Sequence, residues 1–193
     1  MLFYLFKLNT DNNGICFVNF FDKSEIVKPP IENLLEIRPS KFGKGLFALT
    51  NICEGTILCR VSGKELEMDF AATLALQNKE SHALQIDFDR YILCDPPFLY
   101  SNHSCNPNCA VNTKLEMFAL RDIMEGEELT WDYSTSMLER HWTMKCSCNE
   151  PECRKIIADF DLLPQTLQAK YLQMNIVLPF IVNFLQQQLA KSA

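Results

Sequence analysis

The fold of this chain is decided by the run Asn102-His103-Ser104-Cys105-Asn106-Pro107-Asn108 and by a second run, Cys146-Ser147-Cys148, with Cys153 behind it. The arrangement C…C-x-C-x4-C offers four thiols, from Cys105, Cys146, Cys148 and Cys153. Three Cys within eight residues are crowded for an ordinary core, whereas four thiolates complete a closed tetrahedral shell around one Zn²⁺. We therefore expect a structural zinc site formed by these residues.

Size and charge restrict the class of protein. A chain of 193 residues with 48% hydrophobic and 22% charged residues is typical of one soluble globular domain with small appendages. Its net charge of −6 argues against direct nucleic-acid binding, which favours a basic surface. An acidic protein is better suited to a basic peptide or protein segment.

The sequence contains no pattern typical of secretion or membrane insertion. The apolar opening is interrupted at Lys7, and the apolar stretch at 176–185 is broken by Pro179 and Asn183. The nine Cys are an odd number, which favours reduced thiols over disulfides. We expect an intracellular protein, cytoplasmic or nuclear, without a membrane partner.

Many short strands and few helices are predicted. Residues 2–8 and 15–21 form a hairpin around Asp11-Asn12-Asn13-Gly14, and Gly43-Lys44-Gly45 forms a tight turn. Helical periodicity covers 65–79, and Pro164 and Pro179 each mark a helix start. Further strands are predicted at 35–38, 46–49, 56–61, 82–86, 91–94, 110–112, 117–120 and 128–133. This pattern indicates a β-rich α+β domain.

Four pieces of the chain resemble the SET-domain family of protein lysine methyltransferases. The run at 102–108 resembles the family's N-H-S-C-x-P-N signature, and Cys146-x-Cys148-x4-Cys153 resembles its post-SET zinc segment. The segment from Arg121-Asp122-Ile123 to Gly126-Glu127-Glu128-Leu129-Thr130-Trp131-Asp132-Tyr133 is similar to R-D-I…G-E-E-L-T-x-D-Y. Lys44-Gly45-Leu46-Phe47-Ala48 is similar to the amino-terminal K-G-x-x-A turn and strand, and the four pieces follow the family's order.

The resemblance implies a SET fold of several short sheets with a pseudoknot, in which the segment around Asp132-Tyr133 threads the loop at Asn102-His103. The implied divisions are an N-terminal hairpin extension at 1–34, a SET domain at 35–135, a post-SET zinc segment at 136–160 and a helical C-terminal tail at 161–193. The two appendages would either pack on the core or form a homodimer.

The implied activity is methyl transfer from S-adenosylmethionine to a lysine ε-amine of a histone or another basic protein segment. The residues implied to bind the cofactor are Lys44, Gly45, Leu46, His82, Asn102, His103 and Tyr133. Tyr133, His82 and Trp131 are implied at the reacting centre, with the Tyr133 hydroxyl close to the transferred methyl. The Zn²⁺ held by Cys105, Cys146, Cys148 and Cys153 would pin the post-SET segment over this centre.

Three positions depart from the family pattern. His82 stands where the family has a Tyr, and Leu99-Tyr100-Ser101 replaces its R-F-x. Trp131 occupies the position where Phe or Tyr tunes the number of methyl groups; its lack of a hydroxyl favours multiple methylation, whereas its bulk favours a narrow pocket. The alternative function is a non-catalytic, zinc-stapled SET-like module that binds proteins.

Overall fold

The computed structural model describes residues 9–10, 16–17, 34–67, 83–140 and 142–192. In this part of the chain, fourteen short strands form six small sheets, and two α-helices follow them. The strands are β1 Asn9–Thr10, β2 Cys16–Phe17, β3 Leu35–Ser40, β4 Gly43–Ala48, β5 Ile57–Arg60, β6 Gly63–Glu67, β7 Ala83–Asp87, β8 Arg90–Cys94, β9 Asn102–His103, β10 Cys109–Val111, β11 Glu116–Ala119, β12 Thr130–Trp131, β13 Met144–Lys145 and β14 Ile156–Ile157. The helices are α1 Gln165–Gln173 and α2 Pro179–Ser192.

Antiparallel pairing builds most of the sheets. Strands β3 and β4 form a hairpin, β5, β11 and β10 form one three-stranded sheet, and β6, β8 and β7 form another. Strand β4 also lies beside the segment that precedes β12, since the Leu129 amide donates to the Leu46 carbonyl over 2.7 Å. This contact brings the glycine-containing hairpin next to the two strands that carry the site.

Strands β9 and β12 pair in parallel, with Asn102 opposite Thr130 and His103 opposite Trp131. Parallel neighbours cannot be joined by a tight turn, and here 26 residues lie between them. The pairing therefore places Tyr133, which follows β12, beside the loop that begins at Asn102. The β-rich α+β architecture that the sequence predicts is confirmed.

The two C-terminal helices pack on the main core. This is one of the two alternatives predicted for the tail, the other being a homodimer contact. Helix α1 follows Pro164 and helix α2 begins at Pro179, so both predicted helix starts are confirmed. Tyr171, Phe180 and Ile181 belong to the same buried cluster as Leu46 of β4 and Met117 of β11. The predicted domain divisions at 136 and 161 stay predictions.

Before residue 68, two predictions of local structure were wrong. Residues 65–67 belong to strand β6 and not to a helix, because this segment pairs antiparallel with β8 over its whole length. The remainder of the predicted helix lies outside the described residues. The turn predicted at Gly43-Lys44-Gly45 lies two residues earlier, at 41–42, and Gly43, with a φ of +99°, begins β4.

Other predictions fall partly or wholly outside the described residues. Of the N-terminal hairpin, the described strands β1 and β2 pair antiparallel on either side of the predicted turn. His82 is not among the described residues. The expectation of reduced thiols fails at Cys53, which forms a disulfide. None of the described helices has the length and apolar character needed to cross a bilayer.

Candidate active site and metal centre

Four cysteine sulfurs converge in the way that the spacing predicts. The Sγ atoms of Cys105, Cys146, Cys148 and Cys153 all lie within 4.8 Å of one another. The Cys105 and Cys146 sulfurs are 3.8 Å apart, which matches the edge of about 3.8 Å of a tetrahedron whose Zn–S bonds are about 2.3 Å. The donor set fits one zinc ion with a closed shell of thiolates.

The loop between β13 and β14 presents three of these cysteines. The loop is closed by a hydrogen bond from the Cys146 amide to the Lys155 carbonyl over 2.8 Å. Within it, Asn149 and Lys155 adopt left-handed backbone conformations with φ of 64° and 67°. Outside the loop, Lys41 Nζ donates to the Ser147 carbonyl over 2.7 Å and ties the segment to the β3–β4 turn.

Cys109, which lies close to Cys105 in sequence, stays outside the metal cluster. Its side chain is fully buried in the main core, and burial raises the pKa of its thiol well above the ordinary range. This agrees with the packing role that its position off the ligand pattern indicates.

His103 connects the metal cluster to the residue that follows β12. Its Nδ1 accepts a hydrogen bond from the Tyr133 amide over 3.3 Å, so Nε2 carries the proton and donates to Cys105 Sγ over 3.4 Å. Burial lowers the pKa of His103 to about 4, against an opposing effect of Asp132. The 3.6 Å contact between Nδ1 and the Asp132 carboxylate is therefore not an ion pair at neutral pH.

The side chain of Asn102 is oriented by three acceptors. Its Nδ2 lies 2.6 Å from Glu128 Oε1, 3.0 Å from the Lys44 carbonyl and 3.1 Å from Ser40 Oγ. Because two of these partners can only accept, the amide nitrogen and not the oxygen must face them. The Oδ1 atom has no hydrogen-bond partner among the described residues.

Gly45 provides the space for this arrangement. A Cβ on Gly45 would collide with the Glu128 carboxylate and would lie 2.8 Å from Ser40 Cβ and 2.9 Å from the Phe47 ring. The resemblance to the SET-domain family implies that Gly45 contacts the cofactor. In the structure, the absence of a side chain at Gly45 also makes room for the Glu128 carboxylate, which holds Asn102.

A large cleft lies between this network and the zinc segment. It encloses about 960 Å³, part of it open to solvent, and its lining includes Lys44, Asn102, His103 and Tyr133 on one side. Met144, Lys145, Cys146, Ser147, Cys148 and Ile157 of the zinc segment form the other side. The Lys44 ammonium stacks over the Tyr100 ring at 5.1 Å, so the cleft has a positively charged edge.

A second cavity, here called the aromatic pocket, meets the cleft at Leu99 and Tyr133, which line both. Its volume is about 530 Å³, part of it open to solvent, and its lining includes Phe98, Trp131 and Trp142. The Trp131 ring packs between Phe98 at 5.3 Å and Tyr133 at 4.9 Å. Gln85 and Glu139 add polar groups to a mostly apolar wall.

Tyr133 lies at the junction of the two cavities, in a short 3₁₀ turn over Tyr133–Ser136 and not in a strand as predicted. Its hydroxyl donates to the Ser101 carbonyl over 2.9 Å. Burial raises the pKa of the phenol well above its ordinary value, so the hydroxyl stays protonated at neutral pH. A protonated phenol that already donates its hydrogen cannot serve as a general base, but its oxygen can still accept weak contacts.

This combination of parallel strands, paired cavities and a cysteine cluster agrees with the comparison to known families, in which residues 43–134 match the SET domain. Residues 43–134 form a SET domain. The glycine hairpin, the Asn102–His103 strand and Tyr133 lie within it, and the zinc segment and the two helices follow it.

Relatives of this SET domain include several large proteins. The chain is 30% identical over 127 residues to histone-lysine N-methyltransferase trr and 33% identical over 129 residues to histone-lysine N-methyltransferase ash1, both from Drosophila melanogaster. These alignments cover 58% and 60% of this chain but 5% and 6% of the relatives. A variant-silencing SET domain-containing protein of Plasmodium falciparum is 33% identical over 62% of the chain and 5% of its own length.

The structure brings most of the predicted site residues into one region. Lys44, Asn102, His103 and Tyr133 line the cleft, Trp131 lines the pocket, and Gly45 supports Asn102. Leu46 does not line either cavity, because its side chain is fully buried in the main core. Sequence reasoning missed Ser101, Glu128, Asp132 and Arg154, whose contacts with the site join distant parts of the chain and leave no local pattern.

Proposed function

We propose that this protein transfers methyl groups from S-adenosylmethionine to a lysine ε-amine of a protein. The observation that carries the proposal is the meeting of the large cleft and the aromatic pocket at Tyr133. Two reactants can enter from different sides and meet at a single tyrosine. Relatives named histone-lysine N-methyltransferases support the same reaction.

The cleft is the proposed cofactor site. The Asn102 Oδ1 atom can accept from the ammonium of the cofactor's amino-acid part, since its Nδ2 is already held by Glu128 and Lys44. Lys44, at the edge, can pair with the carboxylate. His103 acts by holding the loop, because both of its ring nitrogens are engaged within the protein. His82 remains a predicted contact.

The aromatic pocket is the proposed lysine site. Its Phe98 and Trp131 rings suit the methylene chain of a lysine, and desolvation there lowers the pKa of the amine so that it loses its proton to solvent. The bound sulfonium supplies an already activated methyl group. The protein's contribution is therefore to hold the neutral amine in line with the methyl–sulfur bond.

Tyr133 and Ser101 are the proposed contacts of the transferred methyl. The phenolic oxygen and the Ser101 carbonyl lie 2.9 Å apart, joined by the tyrosine's own hydrogen bond. Both oxygens can then accept weak C–H···O contacts from a polarised methyl group. In this arrangement the tyrosine aligns and stabilises, and no strong base is required.

The zinc ion is proposed to be structural. Four thiolates fill a tetrahedral shell and leave no position for water or substrate. Its role is to hold the segment that forms one wall of the cleft. The proposed substrate is a basic lysine-containing segment, with histones as the leading candidates because of the named relatives, and the net charge of −6 suits such a partner. A histone substrate would place the protein in the nucleus.

A methylation screen on peptide arrays with labelled S-adenosylmethionine tests the proposal. We expect transfer to lysine peptides, and a fall in rate of about a hundredfold in Tyr133→Phe with cofactor affinity nearly unchanged. Tyr91→Phe is the matched control, because its hydroxyl is buried and has no hydrogen-bond partner among the described residues. Wild-type protein without affinity for S-adenosylmethionine in calorimetry would favour the non-catalytic binding module instead.

A further inference from the structure

Asp132, the residue before Tyr133, is the centre of a buried polar network that reaches beyond the SET domain. Its carboxylate is almost fully buried and accepts three hydrogen bonds. Oδ1 accepts from the Ser134 amide over 3.1 Å and from Arg154 Nη2 over 2.7 Å, and Oδ2 accepts from the Tyr171 hydroxyl over 3.0 Å. A buried carboxylate needs such partners, because leaving its charge unsatisfied is costly.

Arg154 links this carboxylate to the zinc segment. It follows the metal ligand Cys153 directly, its side chain is 13% exposed, and its backbone amide donates to Cys105 Sγ over 3.4 Å. The single bond from Arg154 Nη2 to Asp132 Oδ1 is charge-assisted, and such a contact is shorter and stronger than one between neutral groups. The position of the Asp132 carboxylate is thus coupled to the position of the loop that carries Cys146 and Cys148.

Tyr171 brings helix α1 into the same network. Its side chain is 2% exposed, and its ring belongs to the main core. Burial and the neighbouring Asp132 raise the pKa of its phenol, so the hydroxyl is a permanent donor at neutral pH. Helix α1 lies outside residues 43–134, so the contact joins the C-terminal tail to the SET domain.

We propose that Tyr171 is a positioning residue for cofactor binding. By holding the Oδ2 atom of Asp132, it keeps Oδ1 directed at Arg154, and Arg154 keeps the zinc segment closed against the cleft. The inference rests on the proposed function. It assigns the C-terminal tail a part in the active unit, and not only the role of covering apolar surface.

Steady-state kinetics of Tyr171→Phe test the inference, since this change removes one oxygen and keeps the ring. We expect the KM for S-adenosylmethionine to rise about tenfold, the loss expected for a hydrogen bond to a buried charge, with kcat within about twofold of wild type. A purely structural role would lower the folded fraction, and so reduce kcat while leaving KM unchanged.

Calorimetric titration with S-adenosylmethionine provides a readout that does not depend on turnover, and we expect the same weakening there. Tyr91→Phe, another buried tyrosine, is the matched control and should change neither constant. In a double-mutant cycle, Tyr171→Phe should add little to Asp132→Asn if the tyrosine acts through that carboxylate.

The outcomes separate the two hypotheses. An active wild-type enzyme whose KM and affinity do not change in Tyr171→Phe, or additive effects in the cycle, would overturn the positioning role alone. A wild-type protein that does not bind S-adenosylmethionine would overturn the proposed function, and the inference with it.

Discussion

The zinc segment and the C-terminal helices both follow the SET domain, but different forces hold them against it. In the central part of the zinc segment, residues 142–158, only Cys146 and Ile157 are buried. In the helical region, Tyr171, Ile176, Val177, Leu178, Phe180 and Ile181 are all buried in the main core. Full burial of one such aliphatic or aromatic side chain contributes roughly 1.5–3 kcal/mol. The central part of the zinc segment therefore depends on the proposed metal and on a few polar contacts, whereas the helices are held by apolar packing.

This contrast assigns the two regions different roles. A segment with few apolar contacts can lose its structure locally while the rest of the domain stays folded. The helices belong to the core, so their loss would affect the whole domain. Removing the metal should therefore act on the cleft, and cavities in the helices should act on stability.

The largest expected effect follows from removing a metal ligand. In Cys146→Ser, or after chelation of the metal, we expect affinity for S-adenosylmethionine to fall by more than about a hundredfold, because metal binding and folding of the cleft wall are coupled. Calorimetry measures the affinity, and circular dichroism should show that most of the secondary structure remains. Glu152→Gln, at an exposed position between two ligands and outside the cleft lining, is the control. A metal-free protein with wild-type affinity would contradict the structural role of zinc.

An intermediate effect is expected from a cavity in helix α2. Ile181 is fully buried in the main core, and Ile181→Ala should lower the free energy of unfolding by about 3 kcal/mol. Urea denaturation measures this loss, and the KM for the cofactor should stay within about twofold of wild type. Asn183→Ala, exposed on the same helix, should change stability by less than about 0.5 kcal/mol. If Ile181→Ala weakened cofactor binding and left stability intact, the contrast between the regions would be wrong.

The smallest effect is expected where the zinc segment touches the β3–β4 turn. Lys41→Met removes the hydrogen bond from Lys41 Nζ to the Ser147 carbonyl. Because this contact is exposed, we expect the cofactor KM to rise only about twofold. The measurement is the same kinetic assay, with Lys114→Met, exposed and outside the cleft lining, as the control. A tenfold rise would mean that this contact, and not the metal, keeps the cleft wall in place.

The sequence allowed the cysteine cluster and much of the fold to be predicted. The cysteine spacing predicted all four metal-cluster residues, and Pro164 and Pro179 predicted the starts of both described helices. These features are local, since each depends on residue types at short fixed distances. Leu66 shows the limit: it is the only apolar residue among residues 63–67, so periodicity could not distinguish a helix from strand β6.

The contacts that organise the site could not be predicted in this way. Asp132 meets Arg154 and Tyr171 across 22 and 39 residues, and Asn102 meets Glu128 across 26. Such pairs depend on how strands and helices pack in three dimensions. Nothing in the sequence around Tyr171 indicates that its hydroxyl reaches a buried carboxylate.

The imidazole ring of His103 links the cysteine cluster rigidly to the backbone of Tyr133. One nitrogen contacts a cysteine sulfur of the metal cluster, and the other contacts the backbone amide of Tyr133. An aromatic ring has no internal rotation, so a displacement at one edge is carried directly to the other. A change in the radius of an ion bound by the four thiolates would therefore shift the backbone of Tyr133, at the junction of the two cavities. A larger divalent ion could still be bound by all four cysteines, but it would displace Tyr133 from its position.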